Sequence, residues 1–115
     1  MLDMNPEIRA RWTAALRSGE FKQGFGSLRT ACEGLCCLGV LCELAARAKV
    51  IEATRGGNGI WFYDDATNWL PQAVQDWAGL PESNPITSSG NLVFLNDNLG
   101  WDFAQIADAI DGGVK

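Results

Sequence analysis

Residues Cys32 to Ala48, CEGLCCLGVLCELAARA, carry all four cysteines and the longest apolar run of the chain. That run, Cys36 to Cys42, stops at Glu43. It is too short for a membrane span, which needs roughly 18 consecutive apolar residues. Wound into a helix, Cys37, Leu38, Leu41, Cys42, Leu44, Ala45 and Ala48 form one wide apolar face. Glu43, Arg47 and Lys49 mark its wet side, with Glu43 and Arg47 in the favoured i, i+4 order. A helix this apolar is expected to start at Cys36 or Cys37 and to be buried. Gly39 weakens it, and the expected compensation is close approach of another backbone.

The cysteine spacing, Cys-x3-Cys-Cys-x4-Cys, is not that of paired zinc knuckles. On a helix Cys37 and Cys42 lie about 140° apart and could not readily grip one ion. Burial as small hydrophobes is the simpler expectation. A structural disulfide is not expected in a reducing compartment, although Cys32 and Cys36 could cross-link under oxidation. The chain has no histidine, which removes Ser-His-Asp and Cys-His catalysis and His-ligated zinc. Asp64-Asp65 could meet a divalent cation, but turn formation explains adjacent aspartates more cheaply. No enzyme activity, metal or cofactor is expected.

The flanking segments read in order. Asn5 caps a first helix, with Pro6 at its first position and Ile8, Trp12, Ala15 and Leu16 as its apolar stripe. Ser18-Gly19 ends it. Glu20 to Thr30 is expected to be extended or looped, because Gly24 and Gly26 disfavour a helix. Thr30 to Gly34 reads as a turn. Val50 to Tyr63 reads as a β-hairpin about Arg55-Gly-Gly-Asn-Gly59. A third helix is expected from Asn68 to Leu80, and Glu82 to Asn91 as a polar surface loop. Leu92 to Leu95 fits a strand or a helical turn, and Asn96-Asp97-Asn98 a turn. Asp102 and Gln105 form a capping box for a last helix that Gly112-Gly113 terminates. The expected fold is α+β and a single domain over 1–115. About four helices pack on a small antiparallel hairpin, with the Cys-rich helix buried at the centre.

Charge is unevenly spread. Up to Arg55 the chain has eight Lys/Arg against six Asp/Glu, and from Gly56 onward only Lys115 against eight acids. The acidic total argues against direct nucleic-acid binding, and a basic surface of a partner could dock on the second half. Two groups of candidate binding residues follow. Lys22, Gln23, Gly24, Gly26 and Arg29 could cradle an anion with backbone amides and two cations. Trp61, Trp69 and Trp101, near Asp64 and Asp65, could form a protein-binding surface, while Trp12 and Trp77 belong to the core.

The order of motifs resembles a family of short tailed-phage and prophage proteins. The matching strings are Ala15 to Gly19, Gln23 to Arg29, the CCLGVLC motif within Cys36 to Ala45, Leu70 to Leu80, Asn84-Pro85, Leu95 to Asp97 and Phe103 to Asp108. The resemblance implies a phage accessory protein acting in the host cytoplasm. By analogy with other small phage proteins, the expectation is that it binds and inhibits a host factor such as a defence component, in the style of an anti-CRISPR inhibitor. The alternatives are a sponge that sequesters a nucleotide immune signal and a small metal- or thiol-dependent enzyme.

Overall fold

The computed structural model describes residues 2–112. Among them are four α-helices, a short π-helical turn and two antiparallel hairpins, an α+β fold. Helix α1 spans Pro6–Arg17, α2 Cys37–Arg47, α3 Gln72–Ala78 and α4 Phe103–Asp111. Strands β1 (Ala53–Arg55) and β2 (Trp61–Tyr63) form one hairpin, and β3 (Ile86–Thr87) and β4 (Gly90–Asn91) the other. The π-turn is Phe94–Asn98. Among the described residues no helix is long and apolar enough to cross a membrane.

Local sequence sets the helix ends. Asn5 Oδ1 accepts the Glu7 and Ile8 amides at 2.9 and 3.1 Å, and Pro6 opens α1 without wasting a donor. The Asp102–Gln105 capping box closes reciprocally at 2.8 and 3.0 Å. Helix α2 ends without a glycine. Lys49 takes the left-handed conformation (φ 63°), and the Lys49 and Val50 amides return to Ala46 and Ala45 oxygens.

That ending explains one departure from expectation. The Val50 amide belongs to the helix end, so the first hairpin strand begins at Ala53 and excludes Val50 and Ile51. Ala48 is exposed for the same reason. The third helix starts at Gln72 and not at Asn68, because Pro71 steers Leu70 away from helical angles. Gly79, at φ 71°, ends it after Ala78. The expected loop Glu82 to Asn91 contains the second hairpin. There Thr87 Oγ1 accepts the Ser89 amide and donates to the Gly90 oxygen, building a turn without an Asn-Gly signal. Asn96-Asp97-Asn98 is not a free turn but part of the π-turn, closed by the Leu99 amide on the Phe94 oxygen at 3.0 Å.

The core is organised on α2. Cys37, Leu38, Val40, Leu41, Cys42 and Ala45 are all fully buried. Trp12, equally buried, donates its indole N–H to the Cys37 oxygen at 2.9 Å and so pins α1 to the first turn of α2. Helix α1 also packs along α4, and Arg17 there pairs with Asp108 and Asp111 at 2.8 and 3.0 Å. These exposed pairs add at most about 1 kcal/mol each; the buried apolar side chains, at about 1.5–3 kcal/mol apiece, dominate.

The looped segment 22–36 is held to itself and to the N-cap of α2 by backbone bonds. Leu35 exchanges bonds with Lys22 and Gly24, both at 2.8 Å, and the Cys36 amide donates to the Leu28 oxygen. That oxygen lies over Gly39, where an added Cβ would stand 1.8 Å from it. Gly39→Ala should therefore destabilise the protein by about 3 kcal/mol or more, despite alanine's better helix propensity. Gly57→Ala, whose Cβ would meet nothing within 4 Å, should be near neutral. Urea unfolding of the two variants checks this; equal stabilities would refute the close approach.

Candidate functional site

Arg29 and Trp61, both singled out from sequence, meet in one polar cluster. The Arg29 guanidinium lies 4.0 Å from the centre of the Trp61 ring. Strand β2 positions Trp61, whose amide donates to the Arg29 oxygen at 3.1 Å. Glu33 joins them from the turn before α2, adopting a left-handed φ of 69°. Its carboxylate accepts Arg29 Nε at 3.0 Å, a second Arg29 nitrogen, and the Trp61 indole N–H at 3.3 Å. Arg55 on β1 completes its partners at 3.6 Å.

Glu43 extends the cluster onto α2. It faces Arg29 at 3.5 Å and Arg47 at 3.4 Å, and it accepts the Tyr63 hydroxyl at 3.0 Å. Arg47 reaches on to Glu20 at 2.8 Å and lies over the Phe21 ring. Two grooves share Glu43 and Arg47. One, of about 260 Å³, is lined by Phe21, Lys22, Arg29 and Glu33; the other, of about 710 Å³, by Lys49, Ile51, Glu52 and Asp64. Each arginine of the cluster is met by a carboxylate, so the cluster is close to self-neutral.

The remaining sequence candidates fall elsewhere. Gln23, Gly24 and Gly26 are committed to the π-turn. Gln23 Nε2 donates to Asn96 Oδ1 and the Trp101 oxygen at 2.9 and 2.7 Å. Gly24 donates its amide to Leu35 and accepts from Asn96 Nδ2, and its Cα packs directly on Gly34. Gly26, at φ 88°, donates to Asp97 Oδ2 at 3.2 Å. The backbone donors proposed for an anion thus already face internal acceptors, one of them a carboxylate. Lys22 and Asp65 are exposed. Asp64, left-handed at φ 53°, accepts the Glu52 amide at 3.1 Å, and Trp69 is 56% exposed. The structure does not gather Trp61, Trp69 and Trp101 into one hydrogen-bonded group.

Three side chains carry weight that the sequence did not signal. Asn96 is fully buried and fills all its partners. Besides Gln23 and Gly24, its oxygen accepts the Cys37 amide at 3.3 Å, capping α2 from a distant segment. Tyr63 and Glu33 are the others. Only the Arg29 to Glu33 spacing of four residues hinted at a pair, and in a turn that spacing has no fixed meaning.

Ionisation follows burial. Desolvation pushes the Cys36 thiol up to about 11, and it pushes Cys37 and Cys42 well above the ordinary value. Hydrogen bonds from Arg29 and then Trp61 hold the Glu33 carboxyl below its ordinary value. Its contribution to stability is present above that ordinary value and is lost as pH falls through the depressed one. Tyr63 moves the other way: burial above all, with the Glu43 carboxylate adding to it, raises its pKa far above 10.0. Among the described residues no three Cys, Asp or Glu side chains come together to hold a metal ion.

The fold and cluster define a small α+β protein with a self-paired polar face and buried thiols. The chain belongs to the family described as Domain of unknown function (DUF8296), whose sequence profile matches residues 4–113. No curated protein and no solved structure matches it.

Two measurements test this site. Tyr63 is the single tyrosine, so tyrosinate absorbance reports it alone. Its neutral form stabilises the fold below pH 10, and that contribution is lost as pH rises further. Tyrosinate should therefore appear only with unfolding, and Tyr63→Phe should lessen the alkaline loss; reversible ionisation near pH 10 with the fold intact would refute the burial. In thiol labelling, exposed Cys32 should react quickly and the three buried cysteines only on unfolding. Fast labelling of Cys36 or Cys37 in the native protein would overturn the inert-thiol reading.

Proposed function

We propose that this protein is a non-enzymatic phage accessory protein that binds and inhibits a host factor. The reading extends to a defence component with a basic surface, such as a nucleic-acid-binding effector blocked in the manner of an anti-CRISPR protein. One observation carries it. Every arginine, from Arg9 to Arg55, is engaged in an intramolecular ion pair. Eight carboxylates make no ion pair with a described residue, and seven of these lie between Glu52 and Asp102. Apart from the groove that Glu52 and Asp64 share with Arg47 and Lys49, the outer surface of the second half is therefore acidic without ion-pair partners. Such a surface steers a basic partner and repels nucleic acid.

The same pairing weighs against a nucleotide sponge. A phosphate approaching Arg29 would meet Glu33 and Glu43 first, and Gly26 already binds the Asp97 carboxylate. Thiols with raised pKa values weigh against a cysteine enzyme.

Expression in host cells protected by a nucleic-acid-guided defence should raise the plaquing efficiency of a targeted phage. The variant Asp64→Asn/Asp65→Asn/Glu82→Gln should lose much of that effect while remaining folded, since association is charge-steered. Plaquing unchanged by the wild-type protein across such defences would sink the reading as an inhibitor of a defence component.

A further inference from the structure

The Gln23–Gly26 loop and the chain from the π-turn through Trp101 form one corner of the molecule. Four hydrogen bonds join them: Gln23 Nε2 to Asn96 and to Trp101, Asn96 Nδ2 to Gly24, and the Gly26 amide to Asp97. Three apolar side chains leave this braced corner for solvent. Phe25 is 54% exposed, Phe94 40% and Leu99 47%. Phe25 stands between two glycines whose backbones are both fixed, so little further ordering is needed when it is covered. In the stretch from Leu92 to Phe103 it is Leu92, Leu95 and Phe103 that enter the core, so burial does not explain Phe94 and Leu99.

The charge at the corner has one sign. Asp97 and Asp102 make no ion pair with a described residue. Asp97 accepts two hydrogen bonds and Asp102 one, from the Gln105 amide, which leaves each carboxylate further acceptor capacity. Lys22, the nearest cation in sequence, lines the groove with Phe21 and Arg47 instead. We infer that this corner is the docking surface for a segment of a partner protein that presents an apolar side chain flanked by lysine or arginine. Phe25, Phe94 and Leu99 take the apolar side chain, and Asp97 and Asp102 take the cations. The inference rests on the binding reading above and names its surface.

The probe is a random displayed peptide library selected on the purified wild-type protein. Enriched peptides should combine aromatic or aliphatic residues with Lys or Arg and bind more weakly as salt rises. They should lose about tenfold or more in affinity for Phe25→Ser/Leu99→Ser, a pair of exposed positions. On the wild-type protein they should shift the amide resonances of Gln23–Gly26 and Phe94–Asp102, a readout independent of how the variant folds. No enrichment, enrichment of acidic peptides, or shifts confined to other residues would overturn the corner. Selection of such peptides at this corner by a protein inactive in the plaquing assay would support the surface and sink only the immune target. An active protein whose peptides map elsewhere would overturn the surface and leave the inhibitor reading standing.

Discussion

The rest of the structure depends on the peptide group of Leu28 lying against Gly39. The Leu28 carbonyl accepts the Cys36 amide, its N–H donates to the Thr67 oxygen, and its side chain is fully buried. A looped segment can enter a core only if its backbone polar groups are satisfied there, and both are. Only glycine on the facing helix leaves room for that carbonyl. The contact fixes α2 beneath the loop and brings the chain after β2 alongside. It also sets where Arg29, one residue on, emerges over Trp61.

Around this apolar centre the polar groups are matched internally. No described buried side-chain nitrogen or oxygen lacks a hydrogen-bond partner. Asn96 serves Gln23, Gly24 and Cys37 at once, and Glu43 serves Arg29, Arg47 and Tyr63. Arginine is spent on this internal pairing, and the second-half aspartates other than Asp108 and Asp111 are not. The outer face therefore inherits the acidity, while the cluster that looked most chemical is nearly neutral. Function on this fold is better sought where side chains remain unmatched than where they are most crowded.

The elements differ in how far local sequence foretold them. Asn5-Pro6 and Asp102 with Gln105 announced their helix starts, because a cap acts within three residues of itself. The end of α2 was not announced: Lys49 adopts an angle usually left to glycine, since the following backbone bonds require it. The second hairpin lacked any strong turn pair and was hidden in a polar stretch. Arg29, Trp61 and Gly24 were legible as unusual, but their roles were not. Gly24 and Gly26 look like an anion cradle, but Leu35, Asn96 and Asp97 occupy their polar groups, from up to 72 residues away in the chain.

The sequence by itself determined the α+β class, the buried Cys-rich helix, the need for a close contact at Gly39 and the acidic second half. Each follows from periodicity, composition or a local cap, which neighbouring residues suffice to specify. Tertiary structure alone decided which carboxylates met the arginines, what filled the glycine loop, and which apolar side chains stayed in water. Those outcomes depend on distances between segments remote in sequence, and a paired charge and an unpaired one look the same until the chain has folded.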